Sequence, residues 1–134
     1  MLLYVDTGAL IALAVPKDKH HARAKEVARA RAVEGDRFVL GRPVLVEFLD
    51  GFTKKVGKRE AIEQLHNLES SPRVRIEPET EADFSRAREL FVRYDDEEID
   101  LTDSLSFAIM DRLGLKEAFT FDPDFETHGL TRIA

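Results

Sequence analysis

Short apolar runs alternate with helix-patterned stretches along almost the whole chain, and this alternation restricts the possible folds more than any other feature. Strand-sized runs are read at Leu2 to Val5, Arg37 to Leu40, Val74 to Ile76, Ala118 to Phe121 and Thr131 to Ile133. Helical patterns fall between them. The first covers Thr7 to Ala14 and ends near Pro16, and the second covers His20 to Val33 and is stopped by Gly35. Pro43 to Lys55 carries its proline in the first turn, where no amide donor is lost. Arg59 to Glu69 is closed by Pro72. Glu79 to Tyr94 has its acids early, as the helix dipole favours, and Thr102 to Leu113 is followed by Gly114 as a C-cap. Strands followed by helices imply a parallel sheet covered on both faces, so the fold class is α/β. With 134 residues and no linker, repeat or low-complexity tract, one domain over residues 1–134 is expected.

Composition then narrows the partners. The absence of Cys removes disulfides, thiolate zinc sites and Cys nucleophiles, and fits a cytoplasmic protein. The apolar start lacks a basic flank and is broken by Asp6, so neither a signal peptide nor a membrane span is expected. Twenty basic against 26 acidic residues give a net charge of −6, which on its face speaks against nucleic acid and anionic membranes. The imbalance is uneven. Residues 1–67 hold 12 basic and 9 acidic side chains, whereas residues 68–134 hold 8 and 17. Arg42, Lys54 and Lys55 belong to the basic half and are candidates for phosphate contacts, with ordinary surface charge the alternative. The four His are scattered, and no HExxH, GxxxxGK[ST] or GxGxxG pattern is present.

Four acids stand where chemistry would use them. Asp6 directly follows the first strand, at the end where open α/β sheets bind ligands, although Asp is also a good N-cap for the helix behind it. Glu47 interrupts the apolar run Val44-Leu45-Val46-Glu47-Phe48-Leu49, where a carboxylate is costly unless a cation, water or a pair with Arg42 or Lys54 compensates it. Asp103 opens a helix, which the dipole alone explains, and Asp100 competes with it. Asp122 ends the fourth strand before Pro123, either as a turn residue or as a second strand-end carboxylate, with Asp124 as its neighbour. Packed together, four carboxylates would raise one another's pKa, and a hard divalent cation would relieve the repulsion.

In order and spacing these segments resemble the PIN-domain nucleases, and among them the small VapC-type toxins. The resembling segments are Val5-Asp6-Thr7-Gly8-Ala9-Leu10, Val44 to Leu49, Leu101-Thr102-Asp103-Ser104-Leu105-Ser106-Phe107-Ala108 and Thr120-Phe121-Asp122-Pro123-Asp124-Phe125, with Gly129 following. The pair His20-His21 before an Ala-rich helix also recurs in the family. The resemblance implies a three-layer α/β/α fold whose central five-stranded parallel sheet has the order 3-2-1-4-5. It also implies that Asp6, Glu47, Asp103 and Asp122 hold one or two Mg²⁺ or Mn²⁺ ions. Thr7, Ser104 and Thr120 would then be donors that orient those carboxylates.

The implied activity is metal-dependent hydrolysis of RNA, with a small antitoxin protein and a second copy of the chain as partners and no membrane involved. A PIN fold acting without catalysis, as an RNA-binding or interaction module, is the alternative. A structure-specific DNA nuclease is a more distant one. A phosphorylatable receiver domain also places acids at strand ends, but it wants a lysine after a late strand, and Lys116 precedes the fourth.

Overall fold

The computed structural model describes residues 1–134. Five strands and seven helices follow one another as β1 (Leu2–Val5), α1 (Thr7–Ala14), α2 (His21–Val33), β2 (Arg37–Gly41), α3 (Arg42–Lys55), α4 (Lys58–Ser70), β3 (Val74–Glu77), α5 (Glu81–Arg93), α6 (Leu101–Leu113), β4 (Glu117–Phe119), α7 (Asp124–Thr127) and β5 (Thr131–Ile133). The strands form one sheet in the order β3-β2-β1-β4-β5, and every pairing is parallel. The expected α/β class, order and sandwich of helices around the sheet are all present. No helix is long and apolar enough to cross a membrane.

Period-two alternation along β1 sorts its side chains between the two helical layers. Val5 joins Leu10, Ala28, Phe38, Leu68 and Phe119 around an apolar cavity of about 90 Å³, where α1, α2 and α4 meet one face. Tyr4 points the other way, and its hydroxyl donates to Ser106 Oγ of α6 at 2.8 Å. Room for that hydroxyl comes from Gly41, because a Cβ there would lie 2.4 Å from Tyr4 Oη and 3.0 Å from Ile109 Cδ1. His21 Nδ1 donates to the Ala12 carbonyl at 2.7 Å and ties α2 to α1.

Most element ends fall within two residues of the sequence reading, and the differences have local causes. β4 stops at Phe119 rather than Phe121. Its last carbonyl accepts the Asp6 amide at 3.2 Å, and then the Thr120 side chain turns to Asp6 and the backbone leaves the sheet. α5 begins at Glu81 rather than Glu79 because Thr80 caps it, accepting the Asp83 amide at 3.0 Å while Asp83 accepts the Thr80 amide at 2.9 Å. α7 is a single turn, too short to leave a hydrophobic period in the sequence. Gly114 closes α6 at φ 70°, the left-handed conformation expected of a glycine C-cap.

The register sets where the strand-end acids emerge. β1 lies between β2 and β4, with Val5 opposite Phe119. The chain reverses its strand order there, so the first residues beyond β1 and β4 emerge side by side at the carboxyl edge of the sheet.

Candidate metal centre

Asp6 caps α1. Its Oδ1 accepts the Ala9 amide at 2.9 Å, and its Oδ2 accepts the Thr120 hydroxyl. Thr120 Oγ1 in turn accepts the Asp122 amide at 3.0 Å. One buried hydroxyl thus spaces the two strand-end acids. Asp122 Oδ1 accepts the Asp124 amide at 2.9 Å, which makes the turn into α7. On α6, Asp103 closes a capping box: its amide donates to Asp100 Oδ1 at 2.8 Å, and its Oδ2 accepts the Asp100 amide at 3.4 Å. The bland readings of Asp6, Asp103 and Asp122 are therefore all realised, and they leave lone pairs over. A cap uses one face of a carboxylate, and the other faces the cleft.

That cleft has a volume of about 550 Å³ and is lined by Asp6, Glu47, Asp103 and Asp122 together with Asp18, Glu98 and Asp100. Oxygens of Asp103, Asp122 and Asp124 come within 4.8 Å of one another. Asp6 and Glu47 line the cleft without belonging to that tightest group. Glu47 is exposed on α3, so the burial cost anticipated for it does not arise: Val44, Leu45 and Phe48 turn inward and Glu47 turns out. It forms no pair with Arg42 or Lys54, since Arg42 is held by Glu79.

The electrostatics follow from crowding. Burial pushes the Asp6 carboxyl up to about 6, against the hydrogen bonds from Thr120 and Ala9 and with the charges of Asp122 and Glu47 adding to the rise. Asp103 is pushed up to about 8, by burial first and then by the charges of Asp100, Asp122 and Asp6. Burial and the neighbouring Asp122 charge raise Asp124 as well. Lys55 is the one basic Lys or Arg side chain on the cleft. An oxygen-only donor set whose members resist ionising together fits a hard divalent cation such as Mg²⁺ or Mn²⁺, and offers nothing to a soft metal.

The auxiliary residues divide. Thr120 makes the contacts just described, whereas Thr7 lines the cleft. Ser104 is buried and donates back to the Asp100 carbonyl at 3.0 Å, so it orients its own helix turn rather than a carboxylate. Ser106, which the sequence did not single out, reaches the cleft under the Tyr4 hydroxyl. It lies three residues beyond Asp103, and helical spacing alone would have placed the two on one face. Lys54 and Arg42 are exposed and lie off the cleft lining.

This fold, with acids gathered at the switch point of a 3-2-1-4-5 sheet, is that of the PIN domain family, whose profile matches residues 3–129; the chain belongs to that family. Over 132 residues it is 30% identical to the 23S rRNA-specific endonuclease VapC20 of Mycobacterium tuberculosis, covering 98% of both chains. The crystal structure of that VapC20, described as a Sarcin-Ricin loop cleaving toxin, superposes with a TM-score of 0.89 at 28% identity, over 99% of this chain and 98% of that one. At 17% identity and a TM-score of 0.76, VapBC2 from Rickettsia felis bound to a promoter DNA fragment shares the fold over 99% of this chain and 98% of that one.

Proposed function

We propose that the protein is a metal-dependent endoribonuclease, the toxin of a toxin–antitoxin pair, with residues 1–134 acting as one PIN domain. The observation that carries this reading is the convergence of Asp6, Glu47, Asp103 and Asp122, from two strand ends and two helices, on a single cleft at the switch point of the sheet. The relationship to an rRNA endonuclease over nearly its full length supports RNA as the substrate.

Asp6, Glu47, Asp103 and Asp122 would hold one or two Mg²⁺ or Mn²⁺ ions, and Asp124 stands close enough to share in the site. When bound, such ions supply a more acidic water and stabilise negative charge developing on the phosphate. The chain supplies the rest. Thr120 fixes the spacing of Asp6 and Asp122 and holds the Asp6 carboxylate in one orientation. The two caps hold Asp6 and Asp103 to helix ends, so they are preorganised before substrate arrives. Lys55, at the end of α3 and on the cleft wall, draws in a phosphate, with Lys54 beside it on the surface. Arg42 must leave Glu79 to do the same.

An antitoxin would cover this acidic cleft with a basic side chain, and VapBC complexes share the fold. A homodimer belongs to the same proposal, and gel filtration showing a monomer would remove it. The test of the activity is cleavage of an RNA panel that includes 23S rRNA, with and without Mg²⁺ or Mn²⁺. Wild type is expected to cut only with metal and Asp6→Asn to be inert, while equal cleavage by the two would overturn the metal-centre assignment.

A further inference from the structure

His20 lies flat on Phe121. Their ring centroids are 4.1 Å apart with only 6° between the planes, and both rings line the acidic cleft. Phe121 is placed by its neighbours: Thr120 and Asp122 on either side of it are both fixed by hydrogen bonds, it packs against the core, and its other aromatic contact is the edge of Phe119 at 6.2 Å and 61°. His20 is placed by Asp18, whose Oδ1 accepts its backbone amide at 2.8 Å.

A second His–Phe stack in the same molecule shows what a purely structural pair looks like. His128 lies on Phe107 at 4.6 Å and 5°, but Phe107 is fully buried and both His128 ring nitrogens are committed, to the Tyr94 hydroxyl at 2.7 Å and Asp111 at 3.0 Å. The His20–Phe121 pair is only half-buried, and neither ring nitrogen of His20 has a protein partner. An apolar ring and an uncommitted imidazole sit at the wall of a cleft otherwise made almost wholly of carboxylates and other polar groups.

We infer that the His20–Phe121 pair is a stacking seat for a nucleobase of the RNA, next to the phosphate held at the carboxylates. Single-stranded RNA is read by stacking its splayed bases on Phe, Tyr, Trp or His rings. Phe121 is one residue from Asp122 and both line the cleft, so a base on this seat lies beside a phosphate at the carboxylates. The free imidazole nitrogens can hydrogen-bond a base edge or a phosphate oxygen. The inference rests on the ribonuclease reading and adds to it a positioning and specificity element.

The probe is a short single-stranded RNA carrying 2-aminopurine, whose fluorescence is quenched by stacking, titrated with the full chain in Ca²⁺ so that binding is read without turnover. The chain has no Trp to interfere. Wild type is expected to quench the probe. His20→Ala should bind about ten- to hundredfold more weakly and lose the quench, and His20→Phe should restore both. In a cleavable RNA, an abasic nucleotide beside the cut should raise KM for wild type and leave His20→Ala unaffected. No quench by wild type, the same quench by His20→Ala, or a fall in kcat with KM and quench unchanged would overturn the seat. If wild type quenches yet cuts no RNA with any divalent metal, the ribonuclease reading fails while the seat stands.

Discussion

Asp83 and Asp103 hold the same place in successive helices. Each is the third residue of its helix and closes a capping box, Asp83 with Thr80 and Asp103 with Asp100. Their surroundings reverse their chemistry. Arg112, from the last turn of the helix that Asp103 opens, places its Nε 3.0 and 3.1 Å from the two Asp83 oxygens and its Nη1 3.1 Å from Glu77, which Arg75 also holds. Burial alone would raise Asp83 and Glu77, but the arginine hydrogen bonds and charges outweigh it, and both carboxyls sit below their usual range. Burial pushes Asp103 up to about 8, and the charged side chains around it, Asp100, Asp122 and Asp6, add to the rise rather than offset it. One helix therefore ends in a satisfied ion cluster and begins in an unsatisfied one. Two carboxylates with one local role can thus be a stabilising element or a cation-seeking site, depending on what the fold places opposite.

The sharpest way to break this comparison is to neutralise each acid. Asp103→Asn should lower cleavage by about a hundredfold or more, since even residues supporting a metal ligand are worth ten- to a hundredfold, while the metal-free protein melts no lower than wild type. Asp83→Asn should do the reverse, costing about 1–3 kcal/mol through the stranded arginine and leaving cleavage per folded molecule unchanged. Thermal shifts of the same sign in both variants would erase the distinction.

Next in size is the spacer between the strand-end acids. Thr120→Val should lose about ten- to a hundredfold in activity or metal affinity, and Thr120→Ser should keep most of it. Wild-type kinetics in the valine variant would mean that the hydroxyl does not set the Asp6–Asp122 spacing.

The smallest effect is on stability against pH. Asp6 and Asp103 have folded values of about 6 and about 8, above the unfolded value near ~4, so the metal-free folded state binds more protons than the unfolded one across that window. Its stability should fall as pH rises from about 4 to 8. Asp83 and Glu77 are lowered, so their contribution is present above their unfolded values and is lost as pH falls through the folded ones. Melting in EDTA should therefore peak on the acid side of neutrality, and Mg²⁺ should flatten the alkaline fall. A melting temperature in EDTA that rises steadily to pH 8 would contradict the crowding of the centre.

What could be read from the sequence was what is local or periodic. The parallel sheet was legible because short strand-sized runs, apolar throughout in Leu2–Val5 and largely so in the others, alternate with helix-patterned stretches, and Thr7–Ala14 and Thr131–Ile133 fall where the pattern puts them. Asp6, Asp103 and Asp122 stood out because strand ends and helix starts are visible one-dimensionally, and the cleft does bring them together. Glu47 reaches the same cleft for a reason the sequence reading had inverted: it stood out as an acid in an apolar run but is solvated. Contacts across long separations were not legible. The resemblance marks Thr120 as a donor to the carboxylates but not that Asp6 is its partner, nothing near Arg112 shows that Asp83 awaits it, and His20 gave no sign of lying on Phe121. The paired His20-His21 hid two roles, a tether to Ala12 and a free ring, which only the fold separates.

The bond from Thr120 to Asp6 closes a sequence separation of 114 residues, and β4 can seat against β1 only once both exist. A growing chain on the ribosome carries Asp6 and Glu47 early, yet the four acids cannot share a cleft until the segment through Asp122 has emerged. Synthesis itself thus keeps these carboxylates apart until the last strands arrive, and the acidic cleft comes into being only at the moment the sheet closes.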